Sequence, residues 1–276
     1  MENSNNIPTK NILNAFSISG EPVLLPGGEG TCYRVENTVL KPIKNEVEFS
    51  WLAKINNNLS SNHFRVPKSF KAKDGSFVYS EWTASEFLEG KHESKSYTKS
   101  IEVNKKFHKA IANTPKPDWF DKKADVFAIS DKMAWGELPL PNFEPANNKL
   151  HILQKLLKEN KLPNQLIHGD WGPDQILFHN TLKPAILDMT PYFRPADYSI
   201  ADMMVSAIVN EDEKVSIIDL GKDLVDFDQL LLRALLFRTC TYIGFQIHPE
   251  NNYDWTSVIN KHLKVADSII DYFSLK

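Results

Sequence analysis

The stretch LIHGDWGPDQILFHNTLKPAILD, Leu166 to Asp188, decides how the chain is read. The apolar pair Leu166–Ile167 runs into His168, Gly169 and Asp170, and a second apolar segment, Ile176–Phe178, follows. Asp170 therefore stands in a tight loop between two predicted strands, where a carboxylate can accept or orient the proton of a hydroxyl. Five residues later Gln175 offers a side-chain carbonyl, a hard oxygen suited to a magnesium ion that phosphates already hold. Asp188 ends a third apolar segment, Ala185–Leu187, 18 residues after Asp170. That spacing predicts two short strands joined by a turn at His179–Lys183, with both carboxylates turned to one metal–triphosphate. An isolated Asp at such a place reads as a cap; in this company it is not isolated.

Upstream, LLPGGEGTCYRV is followed by VLK. Gly27, Gly28 and Gly30, with the adjoining Thr31, form a turn between two predicted strands. Glycines there let backbone N–H groups approach phosphate oxygens that side chains would block. Lys41 lies on the next strand, where an ammonium can reach the α- and β-phosphates. By itself the pattern also fits a plain hairpin with a surface lysine.

The rest of the chain changes texture near Gly90. Before it, short alternating runs predict strands at 22–26, 31–35, 38–41, 66–70 and 77–88, with turns at Glu36–Asn37 and Asp74–Gly75 and one helix over 45–55. After it, helical periodicity dominates: 101–112, a leucine-marked helix closed by Asn160, 199–209, 226–247, and 257–273 with Ile259, Leu263, Ala266, Ile270 and Phe273 on one face. Residues 115–147, rich in proline and aromatics, give no clear element. The expected organisation is a sheet-rich N-terminal lobe over 1–90 and a mostly helical C-terminal lobe over 91–276, an α+β arrangement. The asparagine-rich first six residues are expected to be disordered.

Composition narrows the classes. Apolar residues at 42% support a sizeable core, and a net charge of −3 provides no field for nucleic acid or an anionic membrane. Two cysteines, Cys32 and Cys240, exclude a disulfide scaffold or cysteine-rich zinc site and fit a reducing cytoplasm. The polar N-terminus has no apolar signal core, and no apolar run approaches the ~18 residues that span a bilayer.

Glycine turn, lysine strand, acidic helix, hydrophobic hinge, acid loop and second acid follow one another in the order of the phosphoryl-transfer template. HGDWGPDQILF with ILDMT resembles the aminoglycoside phosphotransferase and small-molecule kinase family, which has the protein-kinase-like fold. The wider string PGGEGTCYRV…VLKP…HGD…ILDMTPYFRPADY resembles a bacterial subgroup of it that implies no particular substrate. HGD in place of HRD points to small molecules as acceptors. The resemblance implies ATP or GTP with Mg²⁺ as cofactors and a small-molecule hydroxyl as partner. It implies Asp170 as catalytic base, Asp188 as magnesium ligand, Lys41 on the α- and β-phosphates, and Glu48, favoured over Glu46, paired with Lys41. The Glu86 carbonyl and Leu88 N–H would read the nucleotide base. Two departures stand out: Gln175 replaces the family's metal-binding asparagine, and Met189-Thr190-Pro191 follows Asp188. They keep open the alternative of a catalytically weak or inactive nucleotide-binding pseudokinase with a regulatory role. Among other polar residues, Asp197 is expected to cap a helix, Arg194 to make a surface salt bridge as readily as a phosphate contact, and His108, His151 and His262 to be partly exposed.

Overall fold

The strand-forming residues of the first ninety build one antiparallel sheet. The computed structural model describes residues 7–27 and 30–274; the six N-terminal residues and Gly28 of the glycine turn, on which expectations were stated, lie outside the described residues. The sheet runs β1 (Val23–Leu24), β2 (Tyr33–Val35), β3 (Thr38–Pro42), β6 (Trp82–Glu86) and β4 (Ser69–Phe70), with β5 (Val78–Tyr79) also pairing β6. Its inner face carries Tyr33, Val35, Leu40, Trp82 and Ala84, which bury Ile12, Leu13 and Phe16 of the short helix α1 (Lys10–Ala15). Helix α2 (Glu46–Asn58) starts where Asn45 caps it, accepting from the Glu48 N–H at 3.1 Å. The single strand expected over 77–88 is broken in two. Ser80 and Glu81 both take left-handed φ, 46° and 64°, and form a two-residue hairpin turn between β5 and β6. Neither is Gly or Asn, so the usual turn signal is missing there.

The chain divides into two compact units. The first comprises the chain up to Lys106 together with Pro173–Met189; the second comprises Phe107–Gly172 and Thr190–Lys276. The inserted segment of the first unit is a hairpin, β8 (Ile176–Leu177) with β9 (Ala185–Ile186). It is tied to that unit by Arg65, whose N–H donates to the Pro184 carbonyl and whose carbonyl accepts from Ile186 N–H, and by a reciprocal pair between Lys91 and Phe178.

The second unit is helical apart from β7 (Gln165–His168) paired with β10 (Pro191–Arg194). Helices α4 (Val126–Ala134), α5 (Asn147–Leu156), α6 (Tyr198–Asn210) and α8 (Thr256–Ser274) surround α7 (Phe227–Ile247). Helix α7 is long and apolar enough to cross a membrane by length and composition, a feature the sequence reading missed. Two thirds of that window, 67%, is buried inside the protein. The 115–147 region supplies α4 and a 3-10 turn at Phe120–Lys122. On α8 the buried face is Ile259, His262, Val265, Ala266 and Ile269, not the expected Leu263, Ile270 and Phe273. A polar histidine stands on the stripe, so apolar letters alone misplace it.

Candidate active site

In the first unit the residues predicted to face a nucleotide gather around the sheet. Gly27 and Gly30 sit in the β1–β2 connection with φ of 94° and 68°, which side chains rarely adopt, and a Cβ at either would meet nothing within 4 Å. It is the backbone conformation, with open space beside it, that calls for glycine. Thr31 is half-buried next to them. Lys41 lies on β3, and its Nζ is 2.9 Å from Asp188 Oδ1, a pair 147 residues apart in sequence. Asp188 itself has φ 44°, turning its side chain out of the strand line at the end of the hairpin. Across that hairpin the Gln175 carbonyl accepts from the Leu187 N–H at 2.9 Å, which sets Gln175 one residue from Asp188 in register. Gln175 Nε2 is 3.2 Å from Asp174 Oδ2, engaging the amide nitrogen and turning the carbonyl oxygen to other uses.

The two glutamates of α2 differ. Glu46 is exposed, whereas Glu48 is half-buried with its Oε2 shielded from solvent. At the hinge, Phe87 N–H donates to Asn37 and Glu86 N–H to Lys68. Leu88 follows outside the strand, and among the described residues its N–H meets no backbone acceptor.

No group of three or more metal-binding side chains occurs among the described residues. A nucleotide-borne magnesium ion keeps waters and takes only one or two protein oxygens beside the phosphates. Asp188 and Gln175, placed close together by the hairpin register, offer two oxygens of that kind.

In the second unit the loop after β7 carries Asp170, exposed at its tip. The loop's backbone is held from beneath. His108 of α3 (Tyr97–Ile111) is 1% exposed, and its Nε2 accepts from the His168 N–H at 3.0 Å. That acceptor role leaves Nδ1 to carry the proton, which it donates to the Ala196 carbonyl at 3.1 Å. Burial, with a smaller contribution from His168, pushes the His108 pKa down to about 3, so the ring is neutral. The rings of Phe107, His108 and His168 pack around Trp171, which follows Asp170. Tyr192 of β10 lies on Gly169, where a Cβ would stand 2.0 Å from its ring. Glycine is required by close approach at that position.

Several expectations change here. His108 and His262 are fully buried rather than partly exposed, while His151 is exposed. Asp197 occupies the N-cap position of α6, but its side chain makes no capping bond because the residue already has helical φ and ψ. Arg194 is buried, not at the surface: it bonds Asp131 of α4 through Nε and Nη2, the latter at 2.5 Å, and Glu137 through Nη1 at 2.6 Å. Burial works against its charge, yet these carboxylates raise its pKa above the ordinary arginine value. Asp202 is 1% exposed and meets Arg238 of α7 at 2.9 and 2.6 Å. Burial raises the Asp202 carboxyl, Arg238 opposes that, and the nearby charge of Asp170 adds to the rise. Reading the sequence missed His108, Arg238 and Asp131. One signal existed: Ser100, Asn104 and His108 recur every four residues on the buried stripe of α3.

The comparisons fit this arrangement. No curated protein matches the chain. Among solved structures it is similar to the choline kinase LicA from Streptococcus pneumoniae, with a TM-score of 0.60 at 11% identity over 95% of this chain and 99% of that one. A thermostable mutant of an aminoglycoside phosphotransferase matches with a TM-score of 0.59 at 14% identity, covering 95% and 98%. A spectinomycin phosphotransferase solved with ADP and spectinomycin matches with 0.57 at 13%, covering 92% and 94%. At these identities the likeness establishes the protein-kinase-like fold. The profile described as a phosphotransferase enzyme family matches residues 40–190, more than half of the 276, spanning Lys41, Asp170, Gln175 and Asp188. The chain belongs to that phosphotransferase family and is a kinase-type enzyme.

Proposed function

We propose that the protein transfers the γ-phosphoryl group of ATP to a hydroxyl of a small molecule, with Mg²⁺ and in the cytoplasm. The observation that carries this reading is the Lys41–Asp188 pair beside Gln175, on the same unit as the glycine turn. It joins an ammonium for phosphates to hard oxygens for their metal. The pair is partly exposed, 39% and 59% at the side chains, so it is worth less than about 1 kcal/mol and Lys41 is easily surrendered to a nucleotide. ATP is preferred over GTP because similar structures are described with ADP, AMP and ATP.

Each residue then has a task. The backbone around Gly27, Gly28, Gly30 and Thr31 cradles phosphate oxygens, and Lys41 neutralises them, steadied by Glu48. The Glu86 carbonyl and Leu88 N–H hold the base. Asp188 and Gln175 hold a magnesium ion, which when bound neutralises charge on the β- and γ-phosphates. Asp170 orients the acceptor hydroxyl and takes its proton as the new O–P bond forms and the bond to the leaving ADP breaks. His108 keeps the Asp170 loop in place.

Calorimetric titration tests the nucleotide half. MgATP is expected to bind, MgGTP more weakly, and Lys41→Ala to lower MgATP affinity at least tenfold. An absence of binding by either nucleotide would contradict the proposal.

A further inference from the structure

The β8–β9 hairpin is only two residue pairs long, Ile176 with Ile186 and Leu177 with Ala185. An isolated hairpin of that kind is marginal in water, so its place is set by what grips its flanks. One flank is held by the segment after the hinge. Lys91 and Phe178 exchange both backbone hydrogen bonds at 2.9 Å, and His92 Nδ1 donates to the Ile176 carbonyl at 3.1 Å. Gly90 lies against the same strand, where a Cβ would stand 2.7 Å from the Leu177 Cβ. The other flank is held by Arg65, whose N–H donates to the Pro184 carbonyl at 2.8 Å and whose carbonyl accepts from the Ile186 N–H at 2.9 Å.

The Arg65 side chain joins the two grips. Its Nε donates to the Lys183 carbonyl at 2.8 Å, and its Nη2 donates to the Glu89 carbonyl at 2.7 Å. One planar fork thus holds residues 118 and 24 positions away in sequence. An ammonium has no such fixed geometry. Burial lowers the Arg65 pKa, and the charges of Glu86 and Glu89 work against that. Glu89 directly follows Leu88, and the hairpin ends in Asp188 with Gln175 across it. The backbone proposed to read the base and the oxygens proposed to hold the metal therefore share one side chain.

We propose that Arg65 is a positioning residue that couples the two halves of the nucleotide site, keeping the metal-bearing hairpin in register with the base-reading hinge. The proposal rests on the phosphotransferase reading above and adds a residue that touches neither base nor metal. Magnesium strengthens nucleotide binding only when phosphates anchored through the base meet Asp188 and Gln175 in place, and Arg65 sets that place.

Calorimetry of ADP on the full chain, once with Mg²⁺ and once with EDTA, tests it; the ratio of the two affinities is the gain from magnesium. The native chain is expected to show a gain of about tenfold, and Arg65→Met to reduce it to about twofold, the scale of a lost charge-assisted hydrogen bond. ADP affinity in EDTA is expected to stay within about twofold of native, because the hinge retains its own backbone bonds. Arg65→Lys, which reaches the carbonyls without the fork, is expected to fall between the two. If Arg65→Met does not fold, Arg65→Gln keeps one amide donor and is expected to reduce the gain at least threefold. A gain that Arg65→Met leaves unchanged or raises, a proportionate fall of both affinities, or a lysine variant no better than methionine would each overturn the proposal. So would a native chain that binds ADP with no gain from magnesium. A native chain that binds no ADP at all would overturn the phosphotransferase reading and this proposal together.

Discussion

His108 is fully buried, and both of its ring nitrogens serve the backbone. Its two nitrogens satisfy one backbone donor and one backbone acceptor in the loop region of the second unit, and only the neutral ring can do both. Burial lowers its pKa from 6.5 to about 3, and burial likewise lowers that of His262 to about 4. The unfolded chain takes up protons on these rings below pH 6.5 and the folded chain does not. The stability is therefore present above pH 6.5 and lost as pH falls toward 4 and then 3, by up to about 1.4 kcal/mol per pH unit for each ring. Urea midpoints measured from pH 7.5 to 4.5 should fall, and the double variant His108→Gln/His262→Leu should flatten the slope. An unchanged slope in the double variant would contradict the assignment. The candidates proposed to act through side-chain chemistry were the legible ones: Lys41, Asp170, Gln175 and Asp188 stand out because a charge or amide interrupts an apolar run. The hinge contacts proposed at Glu86 and Leu88 would use backbone, so nothing in their letters announces them, and His108 shows only in its four-residue recurrence with Ser100 and Asn104 on α3.

At the level of elements, β10 is fastened to α4 by Arg194 and Asp131, with side chains 9% and 8% exposed. Asp131→Leu leaves a buried guanidinium short of its main partner and should cost about 3–5 kcal/mol in urea unfolding. Replacing both, Asp131→Leu with Arg194→Met, should recover most of that loss; strictly additive losses would contradict the pairing. Helices α6, α7 and α8 were readable because their periodicity is long and regular. Residues 115–147 were not, because prolines and scattered aromatics conceal a nine-residue helix, α4, whose partners lie far away in sequence. The β5–β6 hairpin was hidden for a different reason. Its turn places Ser80 and Glu81 at positive φ, where propensity alone would put Gly or Asn.

Over the whole molecule, the chain leaves the second unit at Pro173 and returns at Thr190, so the hairpin that ends in Asp188 belongs to the unit of Lys41, while Asp170 belongs to the other. Sequence order could place these acids on loops but could not assign them to separate compact bodies, because that assignment rests on pairings of Arg65 and Lys91 with a segment more than eighty residues away. Gln175 and the Met189-Thr190-Pro191 turn looked like grounds for an inactive protein. Membership of a phosphotransferase family favours an enzyme. The most direct test is transfer of labelled γ-phosphate from MgATP to pooled hydroxyl-bearing metabolites, comparing the native chain with Asp170→Ala. The account predicts labelled product with the native chain and none with Asp170→Ala, whose MgATP affinity is unchanged; equal labelling by both would contradict it.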